Sequence, residues 1–170
     1  MKSRVTPAQT VGPFFHGALC RPLPSPRGSA GGPGVELRGR VVDGAGAPVA
    51  DALLELWQTD GGEGAFARTA TDAAGEYRVR LRALGPVPGA GGRRDAPHIA
   101  VSVFARGLLH RLVTRIYFPD DPANAADPLL ASIADPARRA RLIARSEPGT
   151  SGLRFDLVLQ GEGETPFLDV

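Results

Sequence analysis

Three histidines, one cysteine and two tyrosines are the whole stock of imidazole, thiol and phenol donors in these 170 residues, and their spacing limits the chemistry. A mononuclear metal centre takes three or four side chains from His, Cys, Asp, Glu or Tyr, so the supply is thin. His98 opens a strand-like run, and a ligand pair on one strand face needs a second donor two residues on, where Ala100 stands. By itself His98 reads as a structural, hydrogen-bonding histidine. Cys20 sits in a Pro-rich loop with only His16 near it and reads as an incidental thiol. The sequence holds no GxSxG nucleophile elbow, no Walker motif and no GxGxxG between a strand and a helix, so hydrolysis by an activated serine and nucleotide cradling lose their support.

The charge pattern adds little. The formal net charge is +2 with a pI near 9.2, and Lys2 is the one lysine, so the basicity is arginine. Arg138, Arg139, Arg141 and Arg145 cluster but interleave with core-type Leu142 and Ile143, which suits a solvated helix face better than a phosphate-binding one. A lone cysteine excludes an intrachain disulfide. No charged segment leads into an apolar signal core, and no stretch approaches the roughly 20 apolar residues of a membrane span, so a soluble, cytoplasmic chain is expected, without nucleic-acid or membrane partners.

Elements that could position a site follow from periodicity. Residues 1–34 read as an irregular arm and loop, rich in Pro and Gly, and 35–170 as one sandwich domain. Val35, Leu37, Gly39 and Val41 alternate with Glu36, Arg38 and Arg40 as in a half-buried strand. The turn DGAGAP at 43–48 then predicts a hairpin to a strand over 52–58. Further strands are expected at 77–82, 98–105, 110–118 and 153–160, the 98–105 and 110–118 runs being central because both their faces are apolar. Trp57 and Tyr117 alternate with core positions and are expected to pack. Asp135-Pro136 predicts one short helix over 136–145, with aspartate as N-cap and proline at the first helical position. About seven strands with closely spaced turns indicate an all-β sandwich.

Several separated segments together resemble the intradiol ring-cleavage dioxygenases: TPAQTVGPFFHG at 6–17, LELWQTD at 54–60, RTATDAAGEY at 68–77, APHIAVSVFARG at 96–107, RLVTRIYFPDD at 111–121 and RFDLVLQGEGETPFLDV at 154–170. The likeness spans nearly the whole chain and is closest to the α type of chain in two-chain members of that family. It implies that an iron-bearing β partner holds Fe(III) with two tyrosines and two histidines, the latter from an HIH strand and one tyrosine from a preceding PGPYP loop. Here the HIH position reads His98-Ile99-Ala100, the PGPYP position Leu84-Gly85-Pro86-Val87-Pro88, and the region of the other tyrosine offers only Phe66. Asp95 stands where an active chain has arginine.

Val87, His98 and Ala100 are therefore degenerate metal positions, and no catalytic or metal-ligating residue is expected in this chain. What the resemblance implies for it is a border on the partner's substrate cleft, formed by Thr10, Gly12 and Pro13 of the arm and by Arg106 of FARG, whose guanidinium suits the carboxylate of 3,4-dihydroxybenzoate. Read without the resemblance, Gly12 and Pro13 shape a turn and Arg106 caps a strand end. The expected assembly is a hetero-oligomer whose activity is intradiol cleavage. The rival is a non-enzymatic sandwich module that keeps only the fold.

Overall fold

The alternating runs resolve into two packed sheets in a computed structural model, which describes residues 9–10, 12, 19, 34–58, 64–82, 87–89 and 94–169. In chain order the strands are β1 (Gly34–Val42), β2 (Leu53–Gln58), β3 (Ala65–Ala70), β4 (Glu76–Arg82), β5 (Val87–Pro88), β6 (Arg94–Asp95), β7 (His98–Phe104), β8 (Leu112–Tyr117), β9 (Arg145–Ser146), β10 (Leu153–Arg154) and β11 (Leu157–Val158). One sheet of five strands sets β4, β10 and β11 beside β1, with β9 paired to β10. The other runs β3-β2-β7-β8, and β5 and β6 form a small ribbon. Leu37, Val41, Leu157 and Phe155 of the first sheet and Leu54, Leu56, Ile99, Val101, Val103 and Ile116 of the second meet in one buried cluster. The all-β sandwich is thus the observed architecture.

The hairpin expected from β1 into the 52–58 strand does not form. The turn is local: the Asp43 carboxylate accepts the N–H groups of Ala45 and Ala47, and Val49 returns a hydrogen bond to the Val41 carbonyl. The chain then crosses to the other sheet, where β2 pairs antiparallel with β3 and β7. Leu53 and Leu54 are both buried, and strict hairpin alternation would leave one of them in water. The Thr71 hydroxyl fastens this crossing by donating to the Val49 carbonyl while accepting the Ala52 N–H.

β1 carries ladders on both edges. β4 lies antiparallel on one side, and the C-terminal strands β10 and β11 lie parallel on the other, in the register Leu37↔Leu153 and Val41↔Leu157. The single strand expected over 153–160 is broken at Phe155–Asp156. There the Asp156 carboxylate, not a main-chain carbonyl, takes the Arg40 N–H, and the Phe155 carbonyl turns to the Tyr77 hydroxyl at 2.6 Å. Gly39 makes room for this, since a Cβ at that position would lie 1.7 Å from the Phe155 oxygen. Tyr77, opposite Gly39 in the β1–β4 ladder, occupies the space the missing side chain leaves.

β7 is central, as expected, but β8 is an edge strand. Its free edge is covered: Leu168 donates its N–H to the Val113 carbonyl, the Thr114 hydroxyl donates to the Pro166 carbonyl, and Tyr117 bridges to Ile143. The helix expected over 136–145 stops at Ala140. Leu142 and Ala144 are drawn onto β8 instead, by hydrogen bonds from the Tyr117 N–H to the Leu142 carbonyl and from the Ala144 N–H to the Tyr117 carbonyl. Two further short helical turns, Pro122–Ala126 and Pro128–Ser132, precede it. Among the described residues, no helix is long and apolar enough to cross a membrane.

Two stability predictions follow from the join at Gly39. Gly39→Ala is expected to cost about 3 kcal/mol or more, because backbone and not a flexible side chain is in the way, whereas Gly46→Ala, at φ +81° with open space around it, costs about 1 kcal/mol; urea titration of both variants checks the contrast. Burial also raises the pKa of Tyr77 and of Tyr117 far above the ordinary 10.0. The folded chain therefore keeps both phenol protons when the unfolded chain has lost them, so this contribution is complete below pH 10 and declines above it. With one lysine in the chain, the decline is expected to approach about 1.4 kcal/mol per pH unit for each tyrosine, and Tyr77→Phe roughly halves the slope in urea melts between pH 10 and 11.5.

Candidate functional site

The outer face of the β3-β2-β7-β8 sheet brings the degenerate positions together. Cross-strand neighbours share a face, so the register Phe66↔Trp57↔Ala100↔Arg115 sets four side chains in one row, and His98↔Tyr117 begins the next. Val87 pairs with Asp95 in the small ribbon that leads into β7. Of the positions singled out for a metal, His98, Ala100 and Phe66 thus share one face, but donors do not gather there.

His98 keeps one feature a ligand would need. Its Nδ1–H donates to the Ala96 carbonyl at 2.8 Å, which leaves the Nε2 lone pair available, and burial holds its pKa below the ordinary value, so the ring is neutral at pH 7. Among the described residues, nothing completes a set around it. Ala100 and Phe66 have no donor atom, the Tyr117 phenol is committed to the Asp127 carboxylate at 2.9 Å, and Asp95 is held by the Arg115 guanidinium at 2.9 Å. Among the described residues no three His, Cys, Asp or Glu side chains gather as a metal site. A hard ferric ion with its need for anionic oxygens and imidazoles does not fit what is here.

A structural network takes that volume. Asp127 is fully buried; one of its oxygens accepts from the Tyr117 hydroxyl and the N–H groups of Leu129 and Leu130, and the other accepts the Ala96 N–H at 2.9 Å. One carboxylate therefore caps the helix Pro128–Ser132, anchors β8 and ties down the entry to β7. Tyr117 packs as expected, against the His98 ring at a centroid distance of 5.6 Å. Trp57 does not: it is 49% exposed on the outer face, where its ring lies across Gly64.

Of the residues expected to border a cleft, Arg106 lies just past the other end of β7. The Arg106 side chain is 65% exposed and holds the Asp51 carboxylate by one edge, Nε to Oδ2 2.5 Å, which leaves the rest of the guanidinium open to solvent. Gln9 lines a cleft of about 280 Å³ together with Phe104, Leu108 and His110, so it sits beside the turn that carries Arg106. Thr10 is exposed, and Gly12 takes φ +74°, a conformation glycine adopts without strain. Pro13 lies outside the described residues, as do Cys20 and His16. Asp51 and Gln9 are the residues sequence reading passed over; Asp51 carries no motif, and only the crossing of β1 into the second sheet brings it to Arg106.

This two-sheet arrangement has known counterparts. A family model described as Dioxygenase matches residues 21–161. The chain belongs to the intradiol dioxygenase family. This dioxygenase-family chain is 40% identical to the protocatechuate 3,4-dioxygenase alpha chain of Pseudomonas putida, with 96% of each chain covered, and 32% identical to the beta chain of the Burkholderia cepacia enzyme, over 94% of this chain and 77% of that one. Among solved structures it is similar to the dioxygenase domain of a carbohydrate-binding fusion protein from Streptomyces sp. SirexAA-E, with a TM-score of 0.61, 30% identity, and 92% and 98% of the two chains covered.

The buried carboxylate offers a direct test of the network. Asp127→Ala strips four donors of their acceptor in a dry site and is expected to cost about 3 kcal/mol or more in urea unfolding, while Asp95→Ala, at a partly exposed ion pair, costs about 1 kcal/mol.

Proposed function

We propose that this chain is the α-type subunit of a protocatechuate 3,4-dioxygenase. It joins a β chain in a hetero-oligomer that cleaves 3,4-dihydroxybenzoate with dioxygen, both oxygen atoms entering the product 3-carboxy-cis,cis-muconate. The observation that carries this reading is the near-full-length likeness to an alpha chain in a molecule whose metal positions hold carbon side chains and ion pairs. The family works with Fe(III); in this reading the β chain binds it, because Ala100, Phe66 and Val87 supply no donor atom where ligands would be needed.

The whole chain acts as one sandwich domain with an irregular arm. Its contribution to the shared cleft is shape and charge. Arg106, steadied by Asp51, presents a guanidinium edge to the substrate carboxylate, and a charge-assisted pair of this kind is directional as well as attractive. Thr10, Gly12 and Pro13 bring main chain close to a flat ring, the glycine by leaving out a Cβ. Neither partner encloses the substrate alone.

Co-expression of this chain with a protocatechuate dioxygenase β chain, followed by size-exclusion chromatography, iron analysis and oxygen uptake, tests the assignment. An iron-containing hetero-oligomer that consumes oxygen with protocatechuate is expected. Stoichiometric iron and activity in this chain alone would refute it, and a chain that pairs with no dioxygenase partner would favour the non-enzymatic module. In the complex, Arg106→Ala is expected to raise KM for protocatechuate roughly tenfold with iron content unchanged, because the lost group meets ligand and not metal. Loss of iron together with activity would assign Arg106 to assembly instead.

A further inference from the structure

A second cleft, of about 360 Å³, lies where the end of the helix Pro136–Ala140, β10 and the C-terminal turn meet. Three guanidiniums, Arg141, Arg145 and Arg154, line it against one carboxylate, Asp156. That carboxylate is already engaged. Arg154 holds it by Nε at 3.1 Å and Nη2 at 2.9 Å, and it accepts the Arg40 N–H as well. The nearby Glu147 is taken by Arg38 at 2.6 Å.

Arg145 and Arg141 are left under-neutralised. Arg145 reaches Asp156 only at 3.5 Å, and its side chain is 75% exposed. Arg141 finds a single main-chain carbonyl, that of Glu164, at 3.4 Å and forms no ion pair among the described residues. Below the two charges the floor is apolar, made by Ile143, the buried ring of Phe155 and Val158. Thr165 also lines the cleft; its hydroxyl is buried and accepts the Val158 N–H, so its own proton remains to be donated.

We infer that this cleft is a binding site for a small organic anion carrying two or more carboxylates on a flat apolar frame. Two guanidiniums without a full counter-charge call for two carboxylates, and their planar forks accept them edge-on. The apolar floor favours a frame with little hydration over a bare inorganic ion, and the volume falls in the range of small-molecule sites. The site needs neither iron nor a partner chain, so its existence does not depend on the proposed reaction.

Isothermal titration of the purified full-length chain with benzene-1,3-dicarboxylate, at constant ionic strength, tests the inference. One-to-one binding is expected, weakened at least tenfold by Arg145→Ala and further by the Arg141→Ala/Arg145→Ala double variant. Arg78→Ala serves as the control, because that arginine is exposed on β4 beside Glu36, outside the cleft, and should change nothing. Thermal melts confirm that each variant is folded. The inference is overturned by absence of binding at millimolar ligand, by equal binding of the neutral diamide of the same ring, by equal weakening in Arg78→Ala, which would indicate a diffuse field, or by inorganic phosphate binding as tightly, which would leave the apolar floor without a role.

Discussion

The hydrogen bond from Tyr77 to the Phe155 carbonyl, made across the empty side of Gly39, is the point on which β4, β1 and the C-terminal segment are joined. It allows the C-terminal segment to lie parallel along β1 while β4 holds the opposite edge, so the strand that opens the sandwich is locked by the segment that closes it. Parallel pairing so far apart in sequence has a large loop-closure cost, which burial of Phe155, Leu153 and Leu157 offsets. Further along, the same segment carries Thr165, Pro166 and Leu168 to the otherwise open edge of β8. The register of β8 sets Arg115 and Tyr117, and these govern what the outer face presents.

On that face, a constellation that could hold a metal and one that cannot differ by few atoms. The backbone positions remain grouped, and one imidazole keeps the tautomer of a ligand. What differs is how charge is settled. Arg115 neutralises Asp95, and Asp127 is satisfied by the Tyr117 hydroxyl and three main-chain N–H groups, so the site is stable without an ion to complete it. The division of labour read into the complex rests on this physical self-sufficiency as much as on the missing donors.

Much of this was legible in the residues. Alternation located β1, β2 and β4, and apolar runs bounded by turn signals located β7 and β8, each to within a residue or two. The strand β3 was missed because AFARTA has three alanines and no apolar contrast between faces, each position being half-buried. The pairing of β1 with a neighbour was misread, because a tight turn after a strand signals reversal but not which sheet receives the chain. Of the helical turns between 122 and 140 only the last was anticipated, although Asp121-Pro122 and Asp127-Pro128 repeat the cap-and-proline signature of Asp135-Pro136. Hydrogen bonds to β8 ended the third helix early, and nothing local announces them. At the site, the absence of donors at Ala100 and Phe66 could be read directly. The Asp51–Arg106 pair could not, for it depends on a crossing between sheets.

The carboxylate of Asp127 also bears on the history such a chain can have. Building a ligand set would require the surroundings of His98 to admit new anionic donors, yet Tyr117 and Arg115 cannot be released singly without stranding a buried acid or an unpaired charge. Each single substitution on that route weakens the fold before it gains a function. The network therefore works as a ratchet: with mutually satisfied side chains packed around His98, a ligand set is hard to assemble one substitution at a time.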